Sequence, residues 1–284
     1  MPAQRNIAAG NNYSFIGFID SKGLMVGGNT TAPAAGSASG MLRLLGIQNV
    51  PSAIPTPDTV QVPGDDDVMG EFDFNPTASR AYEATFSVND ETLARLLLGV
   101  NVETAGGIRM YEDDIKDVPD VQCMVIHQGR AKSQDSGTKG VPGYEAYIYH
   151  SATVRFLGRQ QLNIREPAVY RVRITPQLVT KTFDGITISG SVQGTDASRR
   201  KHLSSDYPMH AVAFTCDGSA LAVPLDYTPI STATAYYRFE TALGSGSYGT
   251  PQTFASVSVA SKTATLNAAH TAGLQGIAVY QFAP

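Results

Sequence analysis

From Tyr144 to Phe156 the sequence alternates without interruption, with Tyr144, Ala146, Ile148, His150, Ala152, Val154 and Phe156 on one side and Glu145, Tyr147, Tyr149, Ser151, Thr153 and Arg155 on the other. A period of two held for so long specifies an extended strand, here a long one with room for a bend. Such a strand must be flanked by others, so the chain is committed to a β fold. Gly158-Arg159 reads as a turn, after which Ala168, Tyr170, Val172 and Ile174 alternate with Val169, Arg171 and Arg173 in a partner strand. Further strands are expected near Gly185 to Val192 and Met209 to Thr215.

The stretch from Gly64 to Gly99 repeats the theme and ends differently. An acidic turn, Gly64-Asp65-Asp66-Asp67, precedes a run from Val68 to Asn75 that sets Phe72 and Phe74 opposite Glu71 and Asp73. Asn75-Pro76 breaks it, and from Arg80 to Val88 the residues Tyr82, Ala84, Phe86 and Val88 alternate with Ala81, Glu83, Thr85 and Ser87. The two runs read as a hairpin. Next comes a short helix over Asp90 to Leu98, capped by Asn89, with Asp90 and Glu91 in its first turn and Gly99 as its stop. Val88 and Leu93 are placed for a hydrophobic staple, and Leu93, Leu96 and Leu97 form an apolar stripe. A helix this short needs a sheet to lie on.

Tyr13 to Ile19 is apolar on both faces, as a buried strand is, and Asp20-Ser21-Lys22-Gly23 ends it with turn chemistry. The interval from Gly27 to Pro63 has no clear period, is rich in Gly, Ala, Ser, Thr and Pro, and contains one apolar cluster, Met41 to Leu45. It reads as a long loop that orders against a neighbouring copy. Past Asp217-Gly218 the composition shifts to Ala, Ser, Thr and Tyr with short strand-like pieces, at Tyr236 to Glu240, Phe254 to Val259 and Ile277 to Phe282. The expected division is a β domain over 1–218, containing the loop 27–63, followed by a small β extension or module over 219–284.

Composition limits the partners. The 284 residues include 21 basic and 25 acidic side chains, a net charge of −4 without the basic excess of a protein that grips nucleic acid by its phosphates. Charged residues are only 16% of the chain, against about 25% in ordinary soluble domains, so part of the surface is expected to be covered in the working state. The basic cluster Arg199-Arg200-Lys201 reads as a solvated loop. Cys123 and Cys216 fall in apolar runs and are expected to be buried free thiols. No apolar run has signal-peptide or membrane-span length, giving the expectation of a chain made in the cytosol, soluble until it meets its partners, with no membrane insertion.

Catalytic and cofactor motifs fare poorly. Gly244 to Gly249 matches the dinucleotide fingerprint in letters, but Thr250-Pro251 and a strand follow it where a helix is required, so it reads as a hairpin loop. Asp65 to Asp67 and Glu112 to Asp114 lack EF-hand spacing and read as ordinary acidic turns. His127, His150, His202, His210 and His270 show neither zinc-helix pairing nor a Cys-x-x-Cys partner, and His150 fits a core histidine. No serine carries a nucleophile-elbow motif, and Cys123 has no paired base in the sequence. Paired carboxylates far apart in sequence stay open. The expectation is a protein that is not an enzyme, with no catalytic residue, cofactor, metal or small-molecule substrate.

The order of these features resembles the tail tube proteins, or major tail proteins, of long-tailed bacteriophages. The resemblance runs over about residues 10 to 215, through the apolar strand near Phe15, the long Pro/Gly-rich loop, Pro63-Gly64-Asp65-Asp66, the strands around Phe72 and Phe86, the helix from Asp90 to Leu98, and the strands Tyr144 to Phe156 and Ala168 to Ile174. It implies a mainly β fold, a β-sandwich or partly closed barrel with one short flanking α-helix and a long inter-strand loop. It also implies self-assembly into hexameric rings that stack into the tail tube, the conduit for genome delivery. The partners it implies are further copies of the chain, other tail proteins, and phage DNA passing through the lumen without specific binding; its location is the virion, after synthesis in the bacterial host cytoplasm.

Two expectations follow from reading residues with that resemblance. The polar face carrying Glu83, Thr85 and Ser87 looks into the lumen, because short polar or acidic groups repel phosphate. The loop 27–63 contacts the adjacent ring. The alternative is a β-sandwich binding module for carbohydrate or a host receptor, suggested by 13 tyrosines and the Tyr144, Tyr147, Tyr149 cluster.

Overall fold

The structure is a computed structural model that describes residues 6–48, 58–63, 68–74, 81–87, 101–105, 108–112, 121–133, 142–160, 169–177, 201–246 and 248–284. Its strands in the first half are β1 (Asn6–Ile19), β2 (Met25–Gly27), β3 (Ala38–Gly40), β4 (Leu42–Arg43), β5 (Leu45–Gln48), β6 (Asp58–Pro63), β7 (Val68–Phe74), β8 (Tyr82–Ser87), β9 (Asn101–Ala105) and β10 (Ile108–Glu112). The middle of the chain supplies β11 (Val121–Ser133), β12 (Pro142–Gln160), β13 (Val169–Pro176), β14 (Lys201–Ser205) and β15 (Met209–Thr215). Six short strands complete it: β16 (Ala222–Pro224), β17 (Ala235–Phe239), β18 (Gln252–Thr253), β19 (Ser256–Ser258), β20 (Thr263–Thr265) and β21 (Gln275–Gln281). The fold is mainly β and sandwich-like, with antiparallel sheets, none of them closed into a barrel among the described residues. The helix expected over Asp90 to Leu98 and the strand expected near Gly185 to Val192 lie outside the described residues.

The largest sheet runs β2-β1-β11-β12-β13-β8-β5, with β14 also bonded to β12 and β4 to β1. It curls strongly. In a flat sheet β8 and β11 stand three strand steps apart, about 14 Å, yet the Tyr82 hydroxyl of β8 lies 2.6 Å from Nε2 of His127 on β11. The concave face closes over its own core, formed by Ile16, Phe18, Leu44, Tyr82, Ala84, Phe86, Cys123, Val125, Tyr149, Ala152, Val154, Val172 and Ile174. Residues 42–48 bridge the two sides: Leu42 and Arg43 pair with β1, and Leu45 and Gln48 with β8.

A five-stranded sheet, β18-β17-β21-β15-β3, covers part of the convex face. Phe15, Met124, Ile126 and Ile148 from the large sheet meet Ala211, Phe214, Tyr237, Ile277 and Phe282 in a second core. All of β15 is buried, as expected for a strand between layers. Gln128 joins the sheets further, its side-chain amide donating to the Met209 carbonyl at 2.6 Å and accepting from the Met209 N–H at 2.5 Å. Within the smaller sheet Gly276 stands opposite Phe214, and the ring occupies the space that a Cβ would fill. A three-stranded sheet, β16-β20-β19, adds Val223 and Ala264 to the same core.

Several expectations change. The run from Val68 does not pair with the run from Arg80: β7 pairs with β6 across the acidic turn, while β8 joins β13 and β5 in the large sheet. The period-two pattern at Thr59-Val60-Gln61-Val62, short and next to a proline, is what makes β6. The alternation in β12 is broken as well. Tyr149 faces Val125 and Ala152 faces Cys123, so His150 and Ser151 together oppose Met124 alone, a β-bulge that puts Tyr149, Ala152 and Val154 in the concave core. Gly158 is no turn; it lies in β12 opposite Arg171, beside a second irregularity. The interval 27–63 is no single loop awaiting a neighbour, because β3, β4 and β5 bind β15, β1 and β8 of the same chain. Since β3 and β15 both precede residue 218 and belong to the smaller sheet, residues 219–284 share that sheet with the first part of the chain.

Candidate functional site

The convex face left open by the smaller sheet is polar for a simple reason. Along β8, β12 and β13 the residues Tyr82, Ala84, Phe86, Val154, Val172 and Ile174 point into the core, so their neighbours in sequence point out. Register then sets Arg155 opposite Arg173, Arg173 opposite Glu83, and Arg171 opposite Thr85. Glu83, Arg155, Arg171 and Arg173 are exposed and Thr85 is half-buried. Arg171 Nη2 reaches diagonally to Glu83 Oε2 at 2.6 Å, with both side chains about half exposed. An exposed ion pair of this kind contributes about 0–1 kcal/mol. Arg155 and Arg173, of like charge, stand directly opposite one another on the ladder. Beyond them lies a neutral row in which Gln122 Nε2 and Gln177 Nε2 both donate to Thr153 Oγ1, at 2.9 and 2.7 Å.

Of the residues expected to face a lumen, Glu83 and Thr85 therefore share one open face, and Ser87 is the last residue of the same strand, opposite Leu45. The arginines beside them were passed over as site residues. Their signal was in the sequence: Arg171 and Arg173 occupy the polar phase of a strand whose other phase is Tyr170, Val172 and Ile174.

The buried polar groups act as struts. Ser14 Oγ lies 2.9 Å from His127 Nδ1 and the Tyr82 hydroxyl 2.6 Å from His127 Nε2, bonding three strands inside the concave core. His127 and Ser14 are fully buried and Tyr82 is 8% exposed, so this Ser-His contact has no route to a substrate. Burial lowers the His127 imidazole to about 3. His210 sits at the seam of the sheets, with Nε2 3.2 Å from the Met41 carbonyl and Nδ1 3.3 Å from the Tyr280 hydroxyl. Burial lowers it to about 4, despite the Met41 bond, and Asp226 Oδ2 stands 3.7 Å from its Nε2. His150 is wholly buried.

Cys123 and Cys216 are buried free thiols. Burial pushes the Cys123 thiol well up, and burial followed by the Asp217 charge takes Cys216 to about 11, so both are protonated at neutral pH. The Gly244 to Gly249 run is a hairpin loop, with Glu240 bridged to Tyr248 and the Gly246 N–H donating to Glu240 Oε1 at 3.3 Å. Of the tyrosine cluster, Tyr144 and Tyr149 are 5% and 4% exposed and Tyr147 is half-buried. A smaller polar group surrounds the Tyr237 hydroxyl, contacted by Gln252 Oε1 at 2.8 Å, His270 Nε2 at 3.1 Å and Asn267 Oδ1.

Among the described residues no three His, Cys, Asp or Glu side chains gather as a metal site. Asp65 to Asp67, Asp113 and Asp114 lie outside those residues, and Glu112 ends β10. No helix of the described residues is long and apolar enough to cross a membrane. No family model matches the chain, and no curated protein matches it.

Proposed function

We propose that this chain is a structural protein that assembles with copies of itself into stacked rings of six, forming the tail tube of a long-tailed phage. It works by repeated contact and not by catalysis. The observation that carries the reading is the pair β6–β7 and β9–β10, each of which forms, among the described residues, a two-stranded sheet apart from the larger ones. A two-stranded ribbon alone in water is marginal at best and gains stability from a surface to lie against. Contacts between unlike surfaces of identical units generate rings or filaments. The low charge content of 16% and the sandwich-like fold support the same reading.

One part of the reading shifts. The face with Glu83 and Thr85 was assigned to the lumen because acidic and small polar groups repel phosphate. That face also carries Arg155, Arg171 and Arg173, with Arg171 paired to Glu83, so repulsion of phosphate is no argument for its facing the lumen. Negative-stain microscopy and mass photometry of the purified chain over a concentration series test the function. Rings or tubes that grow with concentration are expected; a monomer at every concentration would overturn it.

A further inference from the structure

We propose that residues 225–230 form a strap over the seam between the large and the smaller sheet, closed while His210 is neutral and released, with the sheets intact, when that ring takes up a second proton.

The strap runs between β16 and β17 and is tied down at few points. The Leu225 N–H donates to the Lys262 carbonyl at 2.8 Å, the Ile230 N–H to the Gln281 carbonyl at 3.1 Å, and the Thr228 carbonyl accepts from the Ala283 N–H at 3.0 Å. The Tyr227 ring stacks on Phe282, with centroids 4.4 Å apart, and stands edge-on to Phe15 and His210. In the middle of the strap two successive N–H groups converge on one atom, the Tyr280 hydroxyl oxygen. Tyr227 donates to it at 3.1 Å, and Asp226 bonds the same oxygen.

Proton accounting makes this junction acid-sensitive. A phenol oxygen has two lone pairs and one proton. The strap takes both lone pairs, so the proton of Tyr280 points to His210 Nδ1, 3.3 Å away. The other ring nitrogen, Nε2, donates to the Met41 carbonyl at 3.2 Å. The network therefore assigns the neutral Nε2–H tautomer. A second proton must go on Nδ1, where it meets the Tyr280 O–H head-on. Tyr280 can accept it only by releasing an N–H of the strap, and its own proton then loses its acceptor. Asp226 offers little relief. Its Oδ2 stands 3.7 Å from Nε2, the nitrogen Met41 already engages, and it is pressed so close to Gly40 that a Cβ there would overlap it. Of the other groups around the junction, Lys262 faces Asp226, while Arg43 and Tyr13 face Tyr227.

The sign follows from the two states of the strap. Closed, it buries His210, which titrates at about 4. Open, it uncovers the ring, which then titrates near about 6.5. Closure is indifferent to pH above about 6.5 and weakens from there down to about 4. Asp226, pushed up by burial, works in the opposite sense, so Asp226→Asn is expected to steepen the response.

Hydrogen exchange of the full-length chain, read amide by amide by NMR and corrected for the intrinsic effect of pH, tests the strap. Between pH 7 and pH 5 the opening that exposes Leu225, Tyr227, Ile230 and Ala283 is expected to rise about 20-fold, from the one proton that the open form takes up. The amides of Ile126 and Ile148 in β11 and β12 are expected to stay far better protected. His210→Gln keeps a donor toward Met41 but cannot take up a proton, and is expected to lose the rise. Tyr280→Phe is expected to loosen the strap already at pH 7 and to flatten its response, and it decides the matter if the glutamine variant does not fold. Strap amides that exchange in step with Ile126 and Ile148 would overturn the proposal, because only global unfolding would then expose them. So would a rise that persists undiminished in either variant.

Discussion

His127 and His210 lie in the two separate cores, each with both ring nitrogens beside a polar partner, and the energetics of these two side chains set how the fold responds to acid. Folded, they titrate near about 3 and about 4 because burial disfavours the imidazolium. Unfolded, both titrate near about 6.5. Above that pH neither state holds the proton and stability is flat. As pH falls below about 6.5 the unfolded chain takes up protons that the folded chain refuses, so stability drops by up to about 1.4 kcal/mol per pH unit per histidine. Asp226, whose carboxyl is pushed up by burial, acts in the opposite sense. The urea midpoint is expected to fall steadily from pH 7 to pH 5, and His210→Asn is expected to reduce that slope without abolishing it, because His127 and His270, both also lowered by burial, still contribute. A slope unchanged in the variant would mean that His210 does not titrate in the way its surroundings dictate.

At the scale of elements, the segment 38–48 does the most joining for its length. Its strands bind β15, β1 and β8 in turn, and Leu44, 3% exposed, donates its N–H to the Ser14 carbonyl at 2.8 Å while its side chain enters the concave core. Leu44→Ala is expected to cost about 2–5 kcal/mol, as in other buried sites where the surroundings cannot collapse. Urea unfolding measures it, and a loss below about 1 kcal/mol would show that the bridge is not a core element. This segment also marks the limit of what the sequence discloses. Long partnered strands were legible: β12, β13 and β15 lie close to where alternation put them, because one buried face imposes period two. Strands of two to four residues, such as β3 to β5, are too short for a period, and only their distant partners make them strands. The bulge at His150 and Ser151 was invisible for a related reason. An apolar residue in either phase satisfies the pattern, so Tyr149 and Ala152 on one face leave no mark in composition. The open face was half legible: its residues could be read from alternation, but the juxtaposition of Arg155 with Arg173 is a matter of register between strands.

At the scale of the molecule, the smaller sheet is assembled from residues far apart along the chain, and its order places β21 between β17 and β15. Without residues 275–281, β15 and β17 have no strand between them, and Glu240 loses the Gln275 N–H that donates to its Oε2 at 3.2 Å. A chain truncated at residue 274 is therefore expected to be cleaved rapidly by trypsin under conditions that spare the full-length protein. Equal resistance would show that the layers fold independently. Pairings this distant in sequence form slowly, since the loop must be closed before the contact rewards it. Translation consequently runs ahead of folding in this layer. A ribosome that stalls partway releases a fragment whose second core is open and within reach of proteases, because the strand that closes it, β21, is the last to be made.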